Sequence, residues 1–294
     1  MTDRLKYKSI RINRKPDQKP VNHIHVKEKN GVVYCTFPLL EEQDWVVHGF
    51  STRLGGVSQG DVGTMNLSFG REASRENVEE NHRRFAEAIG YDPEQMVFSR
   101  QTHTTNLMTV TEKDAGLGFT RERDYDDIDG LVTNTPGIVL VTFYADCVPL
   151  LLVDPVHRAI GSAHSGWRGT VADMGKAALD KMNREFGTKP EDILAVIGPS
   201  ICQDCYEVSE DVIDQFRKAY PETLWTSLFY EKENGKYQLN LWQACRQNFL
   251  RAGVPENQIS LPDICTCCNP DLLYSHRASR GKRGNLAAVL MIKE

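Results

Sequence analysis

Short apolar segments, separated by loop-forming residues, run through most of the chain. Segments rich in β-branched and aromatic residues, bounded by Gly, Pro, Asn or Asp, are typical of strands. We therefore predict strands over 32–38, 45–51, 96–111, 137–154, 159–164, 193–197 and 285–293. The segment over 96–111 is a strand or a hairpin arm with His103 in its middle. The long segment over 137–154 predicts a kink between Asp146 and Pro149, because proline removes a hydrogen-bond donor from the sheet.

Apolar residues spaced three and four apart predict helices, and capping residues mark their ends. Ser74 precedes a helix that ends near Gly90 and presents Val78, His82, Phe85 and Ile89 on one face. The other predicted helices are one with Val171, Met174, Ala178, Met182 and Phe186 on one face, ending at Gly187, one from Ser209 to Tyr220, and one from Asn240 to Ala252 before Gly253. Strands and helices are interleaved without strict alternation. This order favours a layered α+β or mixed-sheet α/β fold over a doubly wound parallel sheet.

Length and charge indicate one domain preceded by a basic arm. The 294 residues contain neither an internal repeat nor a Pro/Ser-rich linker, so we predict a single domain over 23–294. The arm over 1–22 is expected to be flexible, since its first twenty residues include seven Lys or Arg and only two Asp. The remaining 28 basic and 38 acidic residues give a net charge of −10, which makes nucleic acid an unexpected partner.

The apolar segments are too interrupted to cross a membrane. The longest, over 137–153, contains Asp146 and Pro149, and residues 1–20 lack the apolar stretch of a secretory signal. Eight cysteines are too few for a disulfide scaffold in a chain of this length. We therefore expect a cytoplasmic protein with reduced thiols and no membrane partner, and the sequence leaves its oligomeric state open.

Three potential ligands lie in or at the ends of predicted strands, beside small or turn-forming residues. They are His103, Cys147 and His164. Two histidines and one cysteine suit an open zinc site, in which the fourth position takes water or substrate. The same three residues also suit a cysteine nucleophile activated by a histidine. Isolated buried histidines and cysteines are common as well, so residue types alone leave these alternatives open.

Six motifs include or follow these residues. They are Gln101-Thr102-His103, Ala145-Asp146-Cys147-Val148-Pro149, Ala163-His164-Ser165-Gly166-Trp167-Arg168-Gly169, Ile197-Gly198-Pro199-Ser200-Ile201, Cys205-Tyr206-Glu207-Val208 and Tyr274-Ser275-His276-Arg277. Together they resemble the YfiH family of zinc-dependent purine nucleoside phosphorylases, earlier labelled multicopper polyphenol oxidases or laccase-domain proteins. The resemblance extends from about Gly49 to the C-terminus.

The resemblance implies a four-layer αββα sandwich of mixed sheets, of the α+β class, with zinc bound by His103, Cys147 and His164. It also implies phosphorolysis of adenosine, inosine, guanosine or methylthioadenosine by inorganic phosphate, with deamination of adenosine as a side activity. The fold is shared with the catalytic domain of cytotoxic necrotizing factor toxins, which are cysteine/histidine deamidases. A hydrolase or deamidase that uses Cys147 therefore stays an alternative.

Four further residues are candidates for the same site. Arg168 lies in the turn over 166–170, which opens a predicted helix, and both could attract phosphate. Asn66 and Arg277 fall in motifs of the resembling family and are assigned to substrate or phosphate binding. Asp146 is the nearest carboxylate in sequence to Cys147, and we expect it to orient a ligand histidine. Ordinary structural roles are the alternative for Arg168 and Asn66.

Two other groups of cysteines lie sixty residues apart. They are Cys202 with Cys205, and Cys265 with Cys267 and Cys268. Their spacing allows a second zinc site or a disulfide. Cys35 and Cys245 are expected to be ordinary buried thiols.

Two more hypotheses compete with the phosphorylase. A copper-dependent phenol oxidase would need centres rich in histidine, whereas the chain has eight histidines and a single His-x-His pair, at His23 and His25. The composition therefore favours zinc over copper. A zinc-binding protein without catalytic activity is the other alternative.

Overall fold

The structure is a computed structural model that describes residues 23–262 and 264–294. The basic arm expected over 1–22 lies outside the described residues. The helices are α1 (Pro38–Glu41), α2 (Arg75–Ile89), α3 (Trp167–Val171), α4 (Met174–Phe186), α5 (Glu210–Ala219), α6 (Glu222–Leu228), α7 (Leu241–Arg251) and α8 (His276–Ser279). Within this part of the chain, every helix is too short or too polar to cross a membrane.

Fifteen strands follow one another along the described part of the chain. The first are β1 (His25–Lys29), β2 (Val32–Thr36), β3 (Val46–Ser51), β4 (Met96–Phe98) and β5 (Leu107–Thr109). The next are β6 (Gly130–Thr133), β7 (Val139–Tyr144), β8 (Val148–Asp154), β9 (Ala159–Ser165) and β10 (Leu194–Ile197). The last are β11 (Glu207–Val208), β12 (Phe229–Glu231), β13 (Tyr237–Leu239), β14 (Ile259–Ser260) and β15 (Leu286–Ile292).

Two six-stranded mixed sheets form the centre of the fold. Strand order is β1-β2-β3-β15-β7-β4 in the first sheet and β14-β10-β8-β9-β6-β5 in the second. The pairs β4 with β7, β5 with β6 and β10 with β14 are parallel, and the other neighbours are antiparallel. A third, small sheet has the order β11-β13-β12.

Strand β15 shows why the two large sheets pack face to face. Its side chains alternate between two apolar environments, as the period of a strand requires. Leu286, Ala288, Leu290 and Ile292 join the core between the sheets, whereas Ala287, Val289 and Met291 join the core that contains Phe85 of α2. On the outer face of the second sheet, Met182 of α4 and Phe249 of α7 are buried in a further core. The layers are therefore helix, sheet, sheet and helix, which confirms the α+β sandwich.

Three of the four predicted helices, α2, α5 and α7, are continuous elements. Ser74 Oγ accepts a hydrogen bond from the backbone N–H of Asn77, and Gly90 ends α2 with a φ of 98°. The helix predicted with Val171 and Met174 on one face is wrong as a single element, because Asp173 adopts a φ of 60° and separates α3, which ends at Val171, from α4, which begins at Met174. The Asp173 side chain accepts from the N–H of Lys176, so a local cap replaces the continuous helix.

Two predicted strands are each two strands in different sheets. The segment over 96–111 divides into β4 in the first sheet and β5 in the second, with His103 in the loop between them at a φ of 70°. The segment over 137–154 divides into β7 and β8, and the predicted kink is a crossover between sheets in which Asp146 has a φ of 88°. Strands buried on both faces form one continuous apolar segment, so their pattern does not show where the chain changes sheets.

Candidate metal centre

The three predicted ligands meet at one end of the sandwich, where connections pass between the two large sheets. His103 lies in the loop from β4 to β5, and Cys147 lies in the crossover from β7 to β8. His164 is near the end of β9 and is opposite Pro149 of β8. The pairing of β8 with β9 therefore brings Cys147 and His164 to the same end of the second sheet.

The candidate ligand atoms form a compact triangle. One nitrogen of each histidine and the Cys147 sulfur all lie within 4.8 Å of one another, and Cys147 Sγ is 3.9 Å from His103 Nε2. The two imidazole rings meet edge to face, with their centroids 4.9 Å apart. His164 is 4% exposed whereas His103 is exposed, so the triangle opens to solvent on the His103 side. A donor set of two histidines and one cysteine that is open to solvent on one side can hold a metal ion.

Gly166 leaves space beside the triangle. A Cβ added at this position would lie 2.9 Å from His103 Cδ2 and 3.2 Å from Cys147 Sγ. The φ of Gly166 is −74°, which any residue adopts, so the requirement for glycine here is steric. A larger residue would displace two of the three candidate ligands.

Asp129 connects the two histidines and was not singled out by the sequence. It is fully buried, and its Oδ1 accepts hydrogen bonds from His164 Nδ1 and from the backbone N–H of His103, both at 2.9 Å. Its Oδ2 accepts from the N–H groups of Thr102 at 2.8 Å and Thr104 at 3.1 Å. Burial alone would raise the pKa of Asp129, but these hydrogen bonds and the charge of His164 lower it. One carboxylate thus orients His164 and shapes the loop that carries His103.

The expectation that Asp146 orients a ligand histidine is not met, because Asp129 makes that contact. The Asp146 carboxylate accepts instead from Thr266 Oγ1 at 2.6 Å and from the backbone N–H of Arg277 at 2.7 Å. Its left-handed backbone turns the chain between the two sheets, so the alternation of side chains along a regular strand does not apply there. Asp146 therefore joins the crossover to the C-terminal part of the chain.

The electrostatics of the metal-free site favour a thiolate and an imidazolium. Burial alone would raise the pKa of Cys147, but the charge of His164 and hydrogen bonds from His103 and His164 lower it to about 6. Burial alone would lower the pKa of His164, but the Cys147 charge and the hydrogen bond to Asp129 raise it to about 9. A thiolate is the form of cysteine that binds metals and that attacks electrophiles. The site therefore fits both metal binding and catalysis by a cysteine nucleophile.

A cavity of about 360 Å³ opens beside the triangle. Besides His103, Cys147 and His164, its lining includes four arginines and four aromatic residues, Arg71, Arg100, Arg123, Arg283, Phe69, Phe98, Phe143 and Tyr144. The Nε atom of Arg283 is buried and lacks a hydrogen-bond partner within the described residues. Burial and the neighbouring positive charge of Arg71 lower the pKa of Arg283 to about 10. The cavity can therefore accept an anion, which would neutralise two adjacent guanidinium groups.

Asn66, predicted to contact the substrate, lies fully buried outside this cavity. Its Oδ1 accepts from the N–H groups of Ser68 and Asn285, each within about 3.1 Å. Its Nδ2 donates to the carbonyl of Ser68 and to the carboxylate of Glu72. The Asn66 side chain therefore joins two chain segments through its hydrogen bonds. This is the ordinary structural role given above as the alternative to substrate binding.

The two arginines predicted to bind phosphate also lie outside the cavity. Arg168 is exposed and stacks on Trp167, with its guanidinium carbon 4.2 Å from the ring centroid. Arg277 stacks over Tyr206 and donates to the backbone carbonyls of Cys205 and Glu207. The arginines that do line the cavity come from segments far apart in sequence, and no local motif marks them as a group.

Comparisons with known proteins agree with this fold. The family model described as multi-copper polyphenol oxidoreductase laccase matches residues 47–293. The chain is 35% identical over 265 residues to a Bacillus subtilis protein named purine nucleoside phosphorylase YlmD, covering 86% of this chain and 94% of that protein. It is 36% identical over 190 residues to a protein from an unknown prokaryotic organism named adenosine deaminase RL5, covering 64% and 72% of the two chains. The crystal structure of Bacillus licheniformis hypothetical protein YfiH matches with a TM-score of 0.85 and 32% identity, covering 93% of this chain and 100% of that one. The chain therefore belongs to the YfiH family, whose model carries the laccase description.

Proposed function

We propose that this chain is a zinc-dependent purine nucleoside phosphorylase that also deaminates adenosine. The observation that carries the proposal is the triangle of His103, Cys147 and His164 in the wall of an arginine-lined cavity. The names of the B. subtilis and RL5 relatives support the two activities. Adenosine, inosine, guanosine and methylthioadenosine are the proposed nucleosides, and inorganic phosphate is the second substrate.

We assign zinc to the triangle because its donor set and its surroundings fit that ion. Gly166 leaves space beside the ligands, and Asp129 occupies His164 Nδ1 so that Nε2 is the available nitrogen. A zinc ion bound there would supply positive charge to polarise a substrate group or to stabilise charge that develops in the reaction. The chain itself holds the two histidines in place through the four hydrogen bonds to Asp129 described above.

We assign phosphate to the part of the cavity that contains Arg71 and Arg283. The unpartnered Nε of Arg283 is a buried donor, and an unsatisfied buried donor costs about 1–3 kcal/mol. Phosphate oxygens would satisfy this donor and reduce the repulsion between the two guanidinium groups. The rings of Phe69, Phe98 and Phe143 in the same cavity offer an apolar surface for a purine base.

Incubation of the purified protein with adenosine, with and without inorganic phosphate, tests the proposal. We expect adenine and ribose 1-phosphate only when phosphate is present, and inosine under both conditions. Cys147→Ala should abolish both activities because it removes a proposed ligand. A zinc-loaded protein that releases neither adenine nor inosine would contradict the proposal and would support a zinc-binding protein without catalysis.

A pair of arginine variants tests the phosphate position. Arg283→Gln should raise KM for phosphate about 10- to 150-fold, which corresponds to the loss of one charge-assisted hydrogen bond of about 1.5–3 kcal/mol. Arg168→Gln is the matched control, since this exposed arginine lies outside the cavity. If Arg168→Gln raises KM and Arg283→Gln does not, the expectation from the sequence motif holds and the cavity assignment is wrong.

A cysteine hydrolase or deamidase is the second candidate. Cys147, His164 and Asp129 have the order of nucleophile, base and orienting carboxylate, and the pKa of Cys147 is lowered to about 6. Metal analysis separates the candidates. Loss of one zinc ion per chain in Cys147→Ala supports the ligand role. An unchanged zinc content in that variant, with rapid alkylation of Cys147 at neutral pH in the parent protein, supports the hydrolase.

Copper oxidation of phenols has less support. Over the described residues, no group of candidate metal ligands contains more than two histidines, which is too few for several copper centres. We also propose a cytoplasmic location, because reducing conditions keep Cys147 available as a thiolate ligand.

A further inference from the structure

Four cysteines outside the proposed active site come together in space. The sulfurs of Cys202, Cys205, Cys265 and Cys268 all lie within 4.8 Å of one another. Cys205 Sγ is 3.4 Å from Cys268 Sγ, and Cys202 Sγ is 3.9 Å from the same atom. Two Cys-x-x-Cys segments separated by sixty residues therefore form a single four-sulfur cluster.

The size of the cluster fits one tetrahedral ion. Zinc–sulfur bonds of about 2.3 Å place tetrahedral sulfurs about 3.8 Å apart, which is close to the sulfur–sulfur distances of 3.4 and 3.9 Å. Four protein ligands leave no position for substrate, so such a site is structural. We propose that these four cysteines bind a zinc ion that holds together the two chain segments carrying them.

The backbone around the cluster supports a bound cation. The N–H groups of Cys202 and Cys268 point at Cys265 Sγ, at 3.2 and 3.4 Å. Hydrogen bonds of this kind stabilise a negatively charged sulfur. Cys265 is fully buried and Cys202 is 4% exposed, and burying sulfur anions together without a cation would be costly. A divalent cation would offset half of the charge of four thiolates.

The cluster lies next to the proposed active site. The N–H of Ile201, which precedes the first cysteine, donates to the carbonyl of Asp146 at 3.0 Å. Thr266, which lies between Cys265 and Cys268, donates its hydroxyl to the Asp146 carboxylate at 2.6 Å. Both segments of the cluster therefore hold the residue that precedes Cys147. The zinc would fix the crossover that presents the active-site thiol.

Anomalous diffraction at the zinc absorption edge, on crystals of the full chain purified with reductant, tests the proposal directly. We expect a peak about 2.3 Å from all four sulfurs. Four free thiols without a peak would overturn it, as would continuous density joining Cys205 and Cys268 in a disulfide. Iron at the same position would overturn the assignment to zinc.

Metal counts in variants give an independent test that does not depend on nucleoside turnover. Cys268→Ser should lower the zinc content by one ion per chain, and Cys268→His should restore it. Cys267→Ser is the matched control, since Cys267 lies outside the four-sulfur group, and it should keep all its zinc. Equal loss in Cys267→Ser and Cys268→Ser would overturn the proposal.

The unaltered protein provides a further measurement if Cys268→Ser fails to fold. Titration with an organomercurial in the presence of a chromophoric chelator should release one zinc as four thiols react. Release of one zinc ion from Cys147→Ala would show that the structural site is separate from the active site. This conclusion would hold even if the proposed phosphorylase activity proved wrong. Four thiols that react without any release of zinc from that variant would overturn the structural site.

Discussion

Replacement of Asp129 by Asn tests whether a single buried carboxylate organises the proposed active site. The substitution keeps the shape of the side chain and replaces one acceptor oxygen by an NH₂ donor. In the parent protein, Oδ1 accepts from His164 and His103, and Oδ2 accepts from Thr102 and Thr104. In either orientation of the amide, two donors lose their acceptor and face another donor.

The expected magnitude follows from these contacts. Each buried donor left without an acceptor costs about 1–3 kcal/mol, and changes to groups that orient a ligand weaken metal binding about 10- to 100-fold. We therefore expect Asp129→Asn to bind zinc at the His103, Cys147 and His164 site about 10- to 100-fold more weakly. The kcat/KM for adenosine should fall in parallel. The loss of Asp129 also removes a group that raises the pKa of His164, so the pKa of the Cys147 thiol should rise in the metal-free protein.

Competition with a chromophoric zinc chelator measures the affinity, and the pH dependence of Cys147 alkylation measures its pKa. Asp127→Asn is the matched control. Asp127 is exposed, and its carboxylate accepts a hydrogen bond from Oγ1 of Thr102, which lies in the loop that carries His103. We expect the control to bind zinc within about twofold of the parent, since an exposed hydrogen bond contributes little. An Asp129→Asn protein with parental zinc affinity and an unchanged thiol pKa would refute the reasoning.

Three other predictions concern packing and pH. Gly166→Ala should weaken zinc binding in the same chelator assay because its Cβ would contact two candidate ligands; parental affinity would contradict this. Leu290→Ala should lower the free energy of unfolding by about 2–5 kcal/mol in urea, whereas the exposed Val156→Ala should change it by less than about 0.5 kcal/mol; equal effects would contradict the assigned core. Burial lowers the pKa of His48 and His82 to about 4, so the unfolded chain binds more protons between pH 6.5 and 4 and stability falls as the pH falls. Each histidine should cost about 2 kcal/mol at pH 5 relative to pH 7, and equal stability at both values would refute the argument.

Local patterns predicted much of the fold. Capping residues such as Ser74 and Gly90 mark helix ends because they act on neighbouring backbone groups. The motifs with His103, Cys147 and His164 also identified residues that the structure brings together. Their role as zinc ligands stays a prediction.

The parts that sequence reasoning missed depend on long-range pairing. Asp129 reaches His164 because β6 pairs with β9, so that Gly130 lies opposite Ala163. Such a register cannot be read from either strand alone. In the same way, Asp146 is adjacent to Cys147 in sequence but contacts Thr266, far along the chain. The arginines of the cavity likewise come together only when the chain folds.

The two connections that change sheets have a consequence for the whole sandwich. His103 and Cys147 each lie where the chain passes from the first sheet to the second, whereas His164 belongs to the second. An ion held by all three would act as a clamp between these connections. Because a ligand that binds only the folded state stabilises it, loading the site should raise the melting temperature of the entire fold. Catalytic competence and resistance to unfolding would then change together whenever cellular zinc changes.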